Sequence, residues 1–299
     1  MSYILHLLIY LNIYLVVAIS LNIVAGYCGL LTLAHASYFA IGAYCYALAT
    51  MKLGWEFLPA LALGSGVAAV LSLCISLPAW RFRGDAFVIV SLAVQALCFS
   101  VLYNWADLQA APGSWRNLTN GPLGLSGVPR PTLMGIETHS LGAVAAIACG
   151  VSAACFVVSA RLLRSPWGRL LLAMRDDDLV ARGLGKDVRQ IKIQAFSIAC
   201  GMVACAGALY SCYVSYIDPT IASLDQSILM LSMVIVGGLG NVRGPVVGAL
   251  VVIAVPEGLR FLALPAAVAA NLRLLLYGAA LVVMMHLRPQ GLAGRYRLE

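Results

Sequence analysis

Long apolar segments recur along the chain, separated by short polar connections. The segments lie near 3–24, 30–51, 57–80, 86–105, 141–160, 192–216, 226–240, 245–262 and 270–287. A helix needs about 20 mostly apolar residues to cross the hydrocarbon core of a bilayer. The pattern therefore predicts an all-α, polytopic bundle of about 8–10 transmembrane helices, with nine as the best count.

The composition supports a membrane protein. Of the 299 residues, 62% are hydrophobic and 10% are charged, and the mean hydropathy is +0.93. Soluble domains carry about 25% charged residues, and a chain this short cannot bury so much apolar surface in a soluble core. Lipid must cover the remainder, so we expect residues 1–299 to form a single transmembrane domain.

The basic residues set the predicted orientation. The net charge is +7, and eight basic side chains fall within residues 161–192, whereas residues 106–140 carry only Arg116 and Arg130. Cytoplasmic loops of membrane proteins are enriched in Lys and Arg. We therefore predict a cytoplasmic loop at 161–191 and a periplasmic loop at 106–140, and we attribute the positive charge to topology rather than to nucleic-acid binding.

The 161–191 loop carries signals for two short helices. Ser165 before Pro166 is typical of a helix start, and the acidic run Asp176–Asp178 suits the N-terminus of a second helix that stops near Gly183 or Gly185. Two interpretations are open. In one, the loop is a solvated segment that only sets the topology; in the other, it is a coupling helix through which an ATPase subunit moves the membrane domain.

Four blocks of sequence carry a resemblance to a known family. They are Gly168-Arg-Leu-Leu-Leu-Ala-Met-Arg-Asp-Asp177 followed by Ala181, Gly185 and Lys192-Ile-Gln-Ala-Phe196; Asn22 to Ala36; Val236 to Pro245; and Arg288 to Leu292. They occur in the same order, and over nearly the whole chain, as in the LivM-type permeases of branched-chain amino acid ABC importers. The chain departs from the family at Arg182-Gly183, where a second small residue and Leu are common.

The resemblance implies a transport subunit rather than an enzyme. Its partners would be a second, related permease subunit, two cytoplasmic ABC ATPases that bind the ATP, and a periplasmic substrate-binding protein, all at the bacterial inner membrane. The implied cargo is leucine, isoleucine and valine, or alternatively urea and other small amides and acids. The implied coupling residues are Asp177, Asp178, Leu179, Val180, Ala181, Arg182 and Gly185.

Motifs for other functions are missing from the sequence. It has no GxxxxGK[ST] phosphate loop, because Gly183-Leu-Gly-Lys-Asp187 lacks the spacing and the hydroxyl, and it has no HExxH or GxSxG motif. An ion-coupled secondary transporter would need buried carboxylates, and Glu257 is the one clear candidate. We expect Glu257 to pair with Arg260 near the outer face, and we predict no catalytic residue, metal site or cofactor.

Glycines and polar residues interrupt two of the apolar segments. Such interruptions at membrane depth line protein or a water-filled cavity and often mark a transporter's binding site. For the glycines the alternative is close helix packing, with Gly240, Gly244 and Gly248 sharing one helix face. For His35 the alternative is a hydrogen bond between helices. The candidate positions for the translocation path are Gly26, Gly29, His35, Gly42, Gly240, Asn241 and Gly244.

Overall fold

The computed structural model describes residues 2–76, 84–107, 109–110, 114–133, 136–138, 140–260, 266–287 and 290–293. Its helices are α1 (Ser2–Leu21), α2 (His35–Leu53), α3 (Phe57–Leu71), α4 (Leu73–Ser76), α5 (Asp85–Asn104), α6 (Leu141–Arg164), α7 (Pro166–Asp176), α8 (Asp178–Gly183), α9 (Val188–Val214), α10 (Leu224–Gly237), α11 (Gly244–Arg260) and α12 (Ala266–Leu287). A π-helical segment, Asn22–Tyr27, continues α1. The short strands are β1 (Leu125–Ser126), β2 (Thr132–Leu133), β3 (Ile136–Glu137) and β4 (Tyr216–Ile217).

The helices follow the predicted apolar segments. Within the described chain, four helices are long and apolar enough to cross a membrane, namely α1 with its π-helical extension, α5, α6 and α9. Shorter apolar helices include α3, α10 and α11. Each of the nine predicted segments contains a helix, which confirms the all-α polytopic bundle.

The interior of the bundle is built around α2, which packs most extensively against α9 and α3. Small residues allow the backbones to touch. A Cβ atom added at Gly42 would lie 2.2 Å from the carbonyl oxygen of Ala204, and one added at Gly207 would lie 1.9 Å from that of Phe39. Close approach of this kind is how helices associate in lipid, where the hydrophobic effect gives little drive between helices.

The outer helices of the bundle differ in burial. One face of α1 is buried against α6 and α9, and Ser152 of α6 donates a hydrogen bond to Asn12 of α1. By contrast α5 exposes large apolar side chains, including Ile89 at 66% and Leu97 at 64%. In a membrane protein such a surface is covered by lipid or by a partner subunit.

The predicted external loop is ordered where it is described. Strand β1 pairs with β4 in antiparallel register, Leu125 with Ile217, and β2 pairs with β3. The Thr119 hydroxyl donates to the carbonyl oxygen of Leu102 at 2.6 Å, which fastens the loop to the end of α5. These contacts join the loop to the ends of α5 and α9.

The prediction that Gly240, Gly244 and Gly248 share a helix face is wrong for Gly240. That residue lies in the turn between α10 and α11 with φ of 72°, after Gly238 with φ of 109°. Positive φ at two nearby glycines ends α10, so the helical period restarts only at Gly244. Gly244 and Gly248 do face α10, since a Cβ at Gly248 would lie 2.0 Å from the Met233 carbonyl oxygen.

Some predicted features lie outside the described residues. The side chain of Arg260 is among them, so the expected ion pair with Glu257 is not described, although Glu257 accepts a hydrogen bond from the Tyr3 hydroxyl. Of the block from Arg288 to Leu292, the described part is 290–292.

Candidate coupling site

The two predicted loop helices are present as α7 and α8. Pro166 opens α7, although the Ser165 hydroxyl bonds back to the Leu162 carbonyl oxygen at 2.6 Å instead of capping the helix. Asp177 is the N-cap of α8, because its Oδ1 accepts hydrogen bonds from the backbone N–H groups of Leu179 and Val180 at 2.8 and 3.0 Å. The cap holds the sharp corner between α7 and α8 in place.

The short helix α8 has a buried side and an exposed side. Ala181 is only 3% exposed and packs with Met174 and Val188 in a small apolar cluster beneath the helix. On the outside, Leu179, Val180 and Leu184 are 67%, 58% and 73% exposed. Of the predicted coupling residues, Ala181 therefore fixes the helix to the protein, whereas Leu179 and Val180 form an apolar surface with Leu184.

Asp178 attaches α8 to the long helix α9. Its Oδ2 lies 3.1 Å from the guanidinium of Arg182 and 3.6 Å from the Nζ atom of Lys192. The Lys192 and Asp178 side chains are 8% and 12% exposed. Loss of Asp178 would remove the acidic partner of the buried Lys192 ammonium, which is strongly destabilising, so the ion pair holds α8 to the start of α9.

Arg175, at the end of α7, connects the loop helices to the π-helical segment. Its Nη1 donates to the Gly26 carbonyl oxygen at 2.7 Å, and its Nε and Nη2 donate to Oδ1 of Asp176 at 3.1 and 2.9 Å. A Cβ at Gly29 would lie 2.7 Å from Cγ of Arg175, and φ of Gly29 is 72°. Gly29 thus leaves the space that the arginine stem occupies.

Asn22 connects the π-helical segment to the turn after α10. Its Oδ1 accepts from the Gly240 N–H at 3.1 Å, and its Nδ2 donates to the Asn241 carbonyl oxygen at 3.1 Å. A Cβ at Gly26 would lie 2.6 Å from the Gly240 nitrogen. We call the set of Asn22, Gly26, Arg175, Gly240 and Asn241 the junction.

The C-terminal segment extends the junction. The Asn241 side chain donates to the Ala293 carbonyl oxygen at 2.8 Å, and the backbone of Leu292 and Ala293 donates to Val236 and Gly237 at the end of α10, at 3.0 Å each. Four separated parts of the chain therefore meet at the junction: the end of α1, the end of α7, the α10–α11 turn and residues 292–293.

The remaining candidate path residues are not part of the junction: His35 and Gly244 are the first residues of α2 and α11, and Gly42 lies inside α2. Nε2 of His35 lies 3.2 Å from the Ser20 hydroxyl, and the ring is 1% exposed. Gly42 belongs to the packing of α2 against α9, and Gly244 to that of α11 against α10. The structure thus brings Gly26, Gly240 and Asn241 together at interrupted backbone, with Gly29 beside them, and leaves His35, Gly42 and Gly244 in helix packing.

The family model for the branched-chain amino acid transport system, permease component, matches residues 3–285 of the chain. The chain belongs to this family. It is a permease component of an ABC transport system and a multi-pass membrane protein.

Several relatives of this permease are known. The chain is 30% identical over 306 residues to the high-affinity branched-chain amino acid transport system permease protein LivM of Escherichia coli (strain K12), a match that covers 94% of this chain and 67% of the relative. LivM of Salmonella typhimurium matches to the same extent. The autoinducer 2 import system permease protein LsrC of Salmonella typhi is 26% identical over 207 residues, 67% of this chain and 57% of LsrC.

Three residues of the site in this permease were not assigned a role from the sequence. Asn22, Arg175 and Lys192 all lie in the blocks that resemble the family, yet none was identified as a site residue. Asn22 carries a usable signal, because an amide inside an apolar segment needs a hydrogen-bond partner. Arg175 and Lys192 look like ordinary members of a basic loop, and only their burial distinguishes them.

Within the described residues, no group of three or more His, Cys, Asp and Glu side chains could hold a metal ion. Hydrogen bonds and a buried ion pair join two exposed loop helices to interrupted backbone at the ends of membrane helices.

Proposed function

We propose that this permease takes branched-chain amino acids into the cytoplasm by alternating access, with ATP hydrolysed on separate subunits. Its partners would be a second, related permease subunit, two ABC ATPases on the cytoplasmic side and a periplasmic substrate-binding protein. The membrane would be the bacterial inner membrane, with 161–191 as its cytoplasmic loop and 106–140 as its periplasmic loop.

The observation that carries the proposal is the two-sided build of α8. Its outer side presents Leu179, Val180 and Leu184, which are the most exposed large apolar side chains of the 161–191 segment. Its inner side is fixed by Ala181 and by the ion pair of Asp178 with Lys192. An exposed apolar surface of this kind is suited to binding in a cleft of a partner subunit. Because the inner side of α8 is held to α9, a displacement of α8 would also displace α9.

The junction supports a route for that push into the membrane. Arg175 follows any movement of α7, and it bonds directly to Gly26 at the interrupted end of α1. From there Asn22 reaches the α10–α11 turn. A displacement of the loop helices would thus tilt α1, α10 and α11 relative to one another, as a two-state passage requires.

The cargo is assigned by likeness to the two LivM proteins, whose names state branched-chain amino acid transport. The LsrC relatives are named for autoinducer 2 import, so the names of the relatives do not all state the same cargo.

The decisive experiment places a charge on the outer side of α8. We expect Leu179→Asp to abolish co-purification of the ATPase subunits and ATP-driven leucine uptake, because a carboxylate would have to be desolvated at the centre of an apolar contact. Membrane insertion and folding are expected to persist, since the side chain is 67% exposed.

Leu123→Asp is the matched control. Leu123 is 63% exposed and lies in the predicted external loop, so its substitution should leave ATPase association intact. Retention of the ATPase by the Leu179→Asp protein would contradict the assignment of α8 as the coupling helix.

A further inference from the structure

A pocket of about 340 Å³ lies between α1, α9, α10, α11 and α12. Its polar residues are at the opposite end of the bundle from the junction: Gln226 is in the first turn of α10, whose last turn approaches the junction, and Glu257 is in the last turn of α11. Pockets for small molecules occupy about 300–1,000 Å³, so the volume suits a small solute.

Tyrosine rings form part of the wall of the pocket. Tyr10, Tyr14, Tyr210 and Tyr277 all line it, and the rings of Tyr10 and Tyr14 are stacked with centroids 6.3 Å apart. The Tyr277 hydroxyl donates to the carbonyl oxygen of Val252 at 2.8 Å, which fixes one side of the pocket. The face of a tyrosine ring is electron-rich and attracts a cation placed over it.

Glu257 gives the pocket a negative charge. It is half-buried, it accepts a hydrogen bond from the Tyr3 hydroxyl, and no lysine, arginine or histidine is among the residues described as lining the cavity. A carboxylate in a membrane segment is costly unless it meets a positive charge or a polar group. The tyrosine hydroxyl meets part of this need, and a cationic ligand in the pocket would meet the rest.

Aliphatic side chains complete the lining. Leu229, Val252 and Ile253 lie in the same cavity as the carboxylate and the tyrosine rings. A ligand that satisfies all three features has a positive head next to a short hydrocarbon body.

We propose that this pocket binds a primary ammonium group attached to an aliphatic chain, with Glu257 as the counter-ion and the Tyr10 and Tyr14 rings against the ammonium. Two sources share this chemistry: the α-amino end of an amino acid cargo, and the headgroup of an aminophospholipid such as phosphatidylethanolamine. The cargo source rests on the proposed function, whereas the lipid source does not.

The test uses the purified full chain in nanodiscs made of phosphatidylcholine alone, which has no primary ammonium. Binding of 3-methylbutylamine is followed by ligand-observed NMR. We expect saturable binding that weakens about tenfold in Glu257→Gln protein, because the neutral amide removes the counter-ion without changing the side-chain shape. The anion 4-methylpentanoate, of similar size, should not bind.

Two further variants keep the test decisive. Glu56→Gln removes an exposed carboxylate outside the pocket and should leave amine binding unchanged, which controls for the loss of one negative charge from the protein. Tyr14→Leu keeps the carboxylate but removes one ring, and it should weaken binding about fivefold. If Glu257→Gln protein does not fold, the Tyr14→Leu protein carries the test.

Competition distinguishes the two sources. Displacement of 3-methylbutylamine by leucine supports the cargo source, and displacement by phosphatidylethanolamine added to the nanodiscs supports the lipid source. Equal binding of the amine by wild-type and Glu257→Gln protein, or equally tight binding of 4-methylpentanoate, would overturn the proposal. Since the assay needs neither ATP nor an ATPase, its failure would leave the coupling role of α8 untouched.

Discussion

The link between Arg175 and Gly26 makes a quantitative prediction about the loop helices. Arg175→Met keeps the aliphatic stem that lies against Gly29 but removes every hydrogen bond of the guanidinium. The Arg175 side chain is 11% exposed, and its bond to the Gly26 carbonyl oxygen measures 2.7 Å. A hydrogen bond to a charged group contributes about 1.5–3 kcal/mol.

The neighbouring Asp176 adds little to this figure. Its carboxylate is 64% exposed, and exposed ion pairs contribute under about 1 kcal/mol. We therefore expect the end of α7 to open about 10- to 100-fold more often in the Arg175→Met protein, since each 1.4 kcal/mol is tenfold in an equilibrium constant.

Hydrogen exchange measured by mass spectrometry on the full chain reads this opening directly. The reporter is the Asp177 N–H, which bonds to the Ala173 carbonyl oxygen at 3.0 Å, and its exchange should accelerate by the same factor. Arg169→Met removes an exposed arginine from the same helix and serves as the control. Unchanged exchange in the Arg175→Met protein would refute the idea that this arginine holds α7 to the membrane helices.

Two further substitutions test other parts of the structure. Gly42→Ala should destabilise the bundle by about 2 kcal/mol, because the new methyl would lie 2.2 Å from the Ala204 carbonyl oxygen. The control Gly66→Ala, with nothing within 4 Å of the new methyl, should leave the melting temperature in detergent unchanged or raised. Equal melting temperatures of the two variants would contradict this prediction. Asp177→Ala should remove about 1 kcal/mol of capping and speed exchange at the start of α8 about fivefold, and unaltered exchange there would exclude the cap.

The positions of the loop helices were predictable because their signals are local. Pro166 at a first helical position and an aspartate before α8 act on backbone groups only a few residues away. The same holds for the stop after Gly183, where Gly185 has φ of 74°. Which side of α8 would face outward had no such signal, because a six-residue helix gives too short a period to read, and the burial of Ala181 depends on Met174 and Val188.

The glycines show the limit of reading a regular spacing. Gly240, Gly244 and Gly248 have the spacing of a helix face, yet Gly240 lies in a turn. A four-residue spacing shows a shared face only if the backbone is helical throughout, and glycine is also the residue that most readily leaves the helix. Arg243 and Pro245 within the same run are the sequence features that favour an interrupted or interfacial start.

The sequence by itself determined that this permease is an all-helical membrane protein, where its helices lie and to which family it belongs. Those properties depend on hydropathy, on residues close together in the chain and on recognisable blocks. Only the tertiary structure decided that Arg175 meets Gly26, 149 positions away, and that Asn22 meets Asn241, 219 positions away. Such contacts arise from the packing of whole helices, and a hydrogen bond between residues that are distant in the chain produces no periodic pattern in the sequence.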